Sequence, residues 1–97
     1  MTYDELLLSS PVLLVEFYAT WCPHCQKMMP VVENVRQQLD GRAAVAQLDI
    51  DKNQQDADKA GVQSIPTFIL YHDGIEKWRH TGEIDGATLL SKVEAEL

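Results

Sequence analysis

Cys22 and Cys25 are the only two cysteines of a 97-residue chain, and two residues separate them in the run Trp21-Cys22-Pro23-His24-Cys25. A disulfide between them would close a loop of four residues. Loop-closure entropy gives such a bond about 2 kcal/mol, which makes it a poor staple. It makes a good reversible couple, because the two thiols remain neighbours when reduced. The run follows an apolar stretch and precedes a helical pattern. At a helix start, Cys22 would meet unpaired N–H groups and the positive end of the helix dipole, both of which favour a thiolate. Cys25, one turn further in, would be more buried and keep its proton longer. The expected roles follow: Cys22 attacks a disulfide, and Cys25 resolves the mixed disulfide. Pro23 suits the first helical turn, where a missing N–H costs nothing. His24 brings a potential positive charge or a donor beside the thiolate.

Two blander readings compete. The pair could be half of a zinc site completed by His24, His72 or His80, or it could be two inert buried cysteines. His24 lies inside the pair and is badly placed to join both sulfurs on one tetrahedral ion, so no metal is expected. The position at a strand–helix junction makes redox chemistry the leading reading.

The elements that must hold these residues are legible from pattern. Val12 to Tyr18 is apolar, β-branched or aromatic except at Glu16, and reads as a central strand buried on both faces. Beyond Cys25, Met28, Val31, Val32, Val35 and Leu39 fall on one helical face. Pro30 should kink that helix, and Gly41, after Asp40, sits where its C-terminal cap is expected. Residues 2–9 read as a short helix with Thr2 as N-cap and Glu5 completing a capping box. Ala43 to Ile50 reads as a second buried strand, and Asp51 to Ala60 as a polar helix ended by Gly61. Thr67–Tyr71 and Ile75–Thr81 flank His72-Asp73-Gly74, a hairpin signal. Lys77 and Arg79 alternate with Trp78 and His80, as an edge strand would. Asp85 can cap a last helix with apolar positions Leu89, Leu90, Val93 and Leu97. The order is α-β-α-β-α-β-β-α. Strands separated by helices are expected parallel, and the hairpin antiparallel.

Composition bounds the rest. The length fits one domain over residues 1–97. Lys plus Arg number 8 and Asp plus Glu 15, a formal charge of −7. That excess of acid argues against nucleic acid, and against an anionic membrane surface, as partner. Two cysteines exclude a disulfide-dense scaffold and a four-cysteine metal site. The N-terminus lacks a basic region, its run of three leucines is too short for a signal peptide, and no stretch is long enough for a membrane span. A cytoplasmic location is the expectation.

With these residues in place, the chain resembles the thioredoxins. The carriers are Val-Glu-Phe-Tyr-Ala-Thr-Trp-Cys-Pro-His-Cys at 15–25, Pro30, Leu48-Asp49-Ile50-Asp51, Ser64-Ile65-Pro66-Thr67, Asp73-Gly74 and Gly82. The resemblance implies an α/β thioredoxin fold: a four-stranded mixed sheet flanked by helices on both faces, lacking the usual N-terminal edge strand. It implies thiol–disulfide exchange with protein substrates, no cofactor beyond the redox-active disulfide, recharging by a thioredoxin reductase, and most simply a monomer. Pro66 matches the family's cis-proline, and Trp21, Ile65, Pro66 and Gly82 would line the substrate groove. For Trp21 the alternative is plain core packing. Glu16 stands where the family carries a buried aspartate that exchanges protons with the resolving cysteine. A carboxyl in an apolar strand should titrate high, because burial disfavours its charge; the alternative is a solvent-facing Glu16 at a strand end. Gln47 replaces the lysine that often partners this carboxylate. Glu83 would put a carboxylate near the groove, while Lys27, His72 and His80 read as solvated surface groups.

The dipeptide between the cysteines departs from the family. Pro-His resembles the disulfide oxidases of the bacterial periplasm, whose inserted helical domain does not fit between Ile50 and Ser64. Three functional readings therefore stand: a reducing thiol–disulfide oxidoreductase, a more oxidising oxidase or isomerase in an extracytoplasmic compartment, and a binding module with incidental cysteines.

Overall fold

The computed structural model describes all of residues 1–97. Thr2 opens α1 (Tyr3–Leu7): its hydroxyl accepts from the Glu5 N–H while the Glu5 carboxylate accepts from the Thr2 N–H, the reciprocal capping box the sequence predicts. Ser9, Ser10 and Pro11 lead into β1 (Val12–Tyr18), and every β1 residue from Val12 to Phe17 is buried. Such a strand needs a neighbour at each edge and cover on each face. The edges are taken by β2 (Ala44–Asp49), parallel, and β3 (Thr67–His72), antiparallel. With β4 (Ile75–Thr81) the sheet order is β2-β1-β3-β4, and the expected four-stranded mixed sheet forms.

The expectation that strands separated by helices run parallel holds for β1 and β2 and fails for β3. The connection explains why. β2 ends at Asp49 beside Tyr18, and β3 begins at Thr67 beside Phe17, so the chain leaves and re-enters the sheet at the same end. The intervening α3 (Gln54–Lys59) has six residues. It rises about 9 Å, against the roughly 20 Å that a six-residue strand spans, so the helix alone does not return the chain to the far end of the sheet.

Helices cover both faces. On one, Val12, Leu14, Phe68 and Leu70 pack against Met28, Val32, Val35 and Leu39 of α2 (Pro23–Leu39) and against Leu89 and Val93 of α4 (Gly86–Glu94). On the other, Leu13, Val15, Phe17, Ile69 and Tyr71 meet Tyr3 of α1 and Ala57 of α3. The Tyr3 and Tyr71 hydroxyls share a buried hydrogen bond of 2.8 Å. Asp85 caps α4 by accepting from the Thr88 N–H. No helix is long and apolar enough to cross a membrane.

Several local expectations change. α2 ends one residue early, with Asp40 already left-handed at φ 49° before Gly41 at φ 79°. β2 is half-buried rather than buried, because it is an edge strand with a neighbour on one side only. The hairpin turn shortens to Asp73-Gly74, both at positive φ, because His72 and Ile75 pair. Leu70 pairs with Trp78 and Tyr71 with Glu76, which leaves Lys77 as an extra residue in a bulge. Leu97 lies beyond α4 and is exposed. His72 and His80 are more than solvated groups: His72 bonds the Glu96 carboxylate at 2.9 Å, and the His80 ring stacks on Trp78.

This core assigns unequal weights to two leucines. Leu14→Ala, at a fully buried position, should lower unfolding free energy by about 2–5 kcal/mol. Leu8→Ala, at an exposed one, should stay within about 0.5 kcal/mol of the parent. Urea unfolding midpoints read both, and equal losses would refute the assignment.

Candidate active site

β1 delivers the chain to the start of α2, and the reactive pair sits at that junction. Cys22 is the N-cap residue, with extended backbone, and Pro23 takes the first helical position. The Cys25 N–H donates to the Cys22 sulfur at 3.3 Å. An N-cap serine or aspartate would use an oxygen in this way; here a sulfur does it. The Cys22 Sγ also lies 4.0 Å from the carbonyl oxygen of Ile65, in the loop between α3 and β3. The Ile65–Pro66 bond is cis, and the Gly82 N–H, in the loop after β4, donates to the Pro66 carbonyl at 2.8 Å. Gly82 adopts φ 100°, which suits only glycine. Three connections thus converge on the cysteines from separate parts of the chain.

Burial grades the pair. Cys22 is 5% exposed and Cys25 1%. Desolvation pushes the Cys25 thiol well up, its hydrogen bond with Cys22 adds to the rise, and the nearby Glu16 charge adds a little more. Ala19 packs with both cysteines, and Tyr18, Ile50 and Ile65 close around them.

Trp21 is 63% exposed, so core packing does not describe it, and its indole N–H donates to Asp51 Oδ2 at 2.8 Å. An apolar cleft beside it is lined by Ile50, Ala57, Val62 and Ile65. His24 uses its Nδ1 on the Glu83 carboxylate, 2.5 Å away, rather than on the Cys22 sulfur. That contact holds the Glu83 carboxyl below the usual carboxylate range. No three His, Cys, Asp or Glu side chains gather closely enough to hold a metal ion.

Glu16 lies beneath the pair, 2% exposed, so the solvent-facing alternative falls. Burial pushes its carboxyl up. Two groups pull part of the way back: the Gln47 amide, whose Nε2 donates to Glu16 Oε1 at 2.9 Å, and the Arg36 charge. Arg36 escaped the sequence reading. Its Nη2 donates to Gln47 Oε1 at 3.1 Å and to the Val45 carbonyl at 3.2 Å. The available signal was its position on the flank of the buried α2 face, beside Val35, opposite a strand that carries Gln47 in place of a cation.

The family model described as Thioredoxin matches residues 1–95. A chloroplastic thioredoxin Y of Oryza sativa is 34% identical over 97 residues, which cover 99% of this chain and 58% of that one. The chain thus spans less than two thirds of that plastid relative. A thioredoxin of Synechocystis is 34% identical over 91 residues, covering 94% of this chain and 85% of the relative. Among solved structures, a mutant thioredoxin from Halobacterium salinarum superposes with a TM-score of 0.87 at 39% identity, covering 96% of this chain and 80% of that one. Fasciola hepatica thioredoxin gives 0.85 at 28% identity, covering 96% and 90%.

The raised Glu16 carboxyl has a consequence for stability. Its folded value lies above its unfolded value, so the folded state binds more protons between the two. The stabilising contribution of the neutral form is complete below about pH 4.3 and is lost as pH rises through the folded value. Glu16→Gln should therefore be more stable than the parent at pH 7, with the gain vanishing near pH 4. Urea unfolding across that range reads it, and a constant difference between the two proteins would rule the account out.

Proposed function

The chain belongs to the thioredoxin family, and on that premise we propose that it is a thiol–disulfide oxidoreductase that reduces protein disulfides through the Cys22–Cys25 couple. The observation that carries the reading is the Cys22 sulfur at the N-cap of α2, bonded by the Cys25 N–H and facing the Ile65 carbonyl. As a thiolate, this sulfur attacks one sulfur of a substrate disulfide. A Cys22–substrate bond forms, the substrate S–S bond breaks, and one substrate thiolate leaves. Cys25 then gives its proton to Glu16, and its sulfur attacks Cys22. The mixed disulfide breaks, the second substrate thiolate leaves, and the pair is left oxidised by two electrons.

The remaining roles follow from position. The backbone of Ile65, Pro66 and Gly82 is at hand to bond an extended substrate segment, and the exposed Trp21 flanks that groove. Pro23 and His24 tune the first turn of α2. The raised Glu16 suits a proton acceptor working nearer neutrality than an ordinary glutamate. A chain of this kind works as one domain over residues 1–97, as a monomer without a separate cofactor. A thioredoxin reductase in a reducing compartment such as the cytoplasm would recharge it. The Pro-His pair that invites an oxidase reading finds its histidine engaged by Glu83, and the relatives named above are thioredoxins.

Insulin-disulfide reduction should be abolished by Cys22→Ser. Cys25→Ser should retain attack and accumulate a mixed disulfide, visible by mass spectrometry. Equilibration against glutathione should give a potential near the about −270 mV of reducing thioredoxins. A value approaching the about −120 mV of strong oxidases would sink the reductase reading, and turnover that survives Cys22→Ser would sink the mechanism.

A further inference from the structure

Gln47 carries one group that both donates and accepts, and its surroundings leave the amide a single orientation. The Arg36 guanidinium has donors only, so the Gln47 oxygen must face it. The Gln47 NH2 is then turned to Glu16 Oε1, 2.9 Å away. Arg36 is itself fixed, with Nη1 on Glu33 Oε2 at 2.9 Å and Nη2 shared between Gln47 and the Val45 carbonyl.

We propose that Arg36 is a positioning residue that locks the Gln47 amide with its NH2 toward Glu16, so that the buried carboxyl is always offered a donor and never an acceptor. The proposal deepens the proton-acceptor role given to Glu16 and rests on it for its catalytic meaning. A carboxylate accepts from an NH2 group, whereas a neutral carboxylic acid must also place its own O–H. Were the amide free to flip, its oxygen would take that O–H and favour neutral Glu16. With the oxygen held by Arg36, the flip is closed and the ionised form gains. A cation bound to the amide oxygen also polarises the amide and strengthens its N–H donor. Arg36 thus reaches the carboxyl through an uncharged intermediary.

The other groups around Glu16 leave this role open. Sheet register sets Gln47, Glu16, Phe68 and His80 side by side in one row across the four strands. His80 is separated from Glu16 by Phe68 and bonds the Glu83 carbonyl. Asp49 accepts from the Asp51 N–H. Cys25 faces Glu16 from α2 with a neutral thiol, and Lys92 of α4 sits over Trp78. Glu33 pairs with Arg36 from the same helix. Arg36 is the one cation whose hydrogen bonds lead to the carboxyl.

The test is the titration of Glu16, followed through its side-chain carboxyl carbon by NMR in the whole reduced protein. Arg36→Met should raise the ratio of protonated to ionised Glu16 at fixed pH about three- to tenfold. Arg36→Lys, which keeps a donor for the amide oxygen, should return it to within about twofold. In a Gln47→Leu background, Arg36→Met should add a clearly smaller change than in the parent, only what the Arg36 charge exerts across the distance, because the intermediary is gone. The pH profile of disulfide reduction should move with the titration. An unchanged titration in Arg36→Met, or an equal change with and without Gln47, overturns the proposal. If the titration moves and the rate profile does not, the lock stands and Glu16 is not the proton acceptor.

Discussion

The first N–H groups of α2 have no carbonyl within their own helix to bond, and the Cys22 sulfur takes one of them. Much of the reactive end depends on this contact. It requires extended backbone at Cys22, a proline directly after it and a helix start aimed at solvent. β1 supplies the aim, because a strand buried on both faces has little freedom to shift. The contact also defines where a thiolate gains most, at the end of the helix where partial positive charge collects.

Burial then divides labour among neighbouring acids. Cys22 stands at the rim, while Cys25 and Glu16 lie beneath it and are both driven toward their neutral forms by the same loss of water. The same burial thus favours the protonated thiol and the protonated carboxyl side by side beneath the reactive sulfur. The interior tolerates this because it is fully paired: no buried side-chain nitrogen or oxygen lacks a partner. The polar row from Arg36 through Gln47 to Glu16 enters the core from its flank and leaves the apolar contacts of α2 and α4 intact.

Features of the chain that rest on neighbours in sequence were legible, and those that rest on distant neighbours were not. Thr2 with Glu5, Asp85 with Thr88, and Pro23 after Cys22 are local chemistry, and each appears as read. The apolar rows of β1 and α2 foretold which faces are buried. The direction of β3 depends on which end of the sheet the connection over residues 50–66 re-enters, and no local pattern marks that end. The half-buried state of β2 was missed because an edge strand has the same composition as a central one. The partner of His24 lies 59 residues away, and Arg36 and Gln47 belong to different elements. No period or spacing signals such pairs. Spacing alone singled out the cysteines, and the resemblance to a family pointed to Pro66 and Glu16, but neither pointed to the arginine that this chain sets behind its glutamine.

The antiparallel entry of β3 also sorts the two ends of the sheet. Both cysteines and the Ile65–Pro66 loop gather where β1 finishes and β3 begins. Val12 and His72 pair at the opposite end, and Leu97 lies there with Pro11, Arg42 and Glu96. About 20 Å of strand separates the two. A surface, a dye or a second protein attached through Leu97 would sit at the pole away from Cys22 and leave the Ile65–Pro66 loop clear.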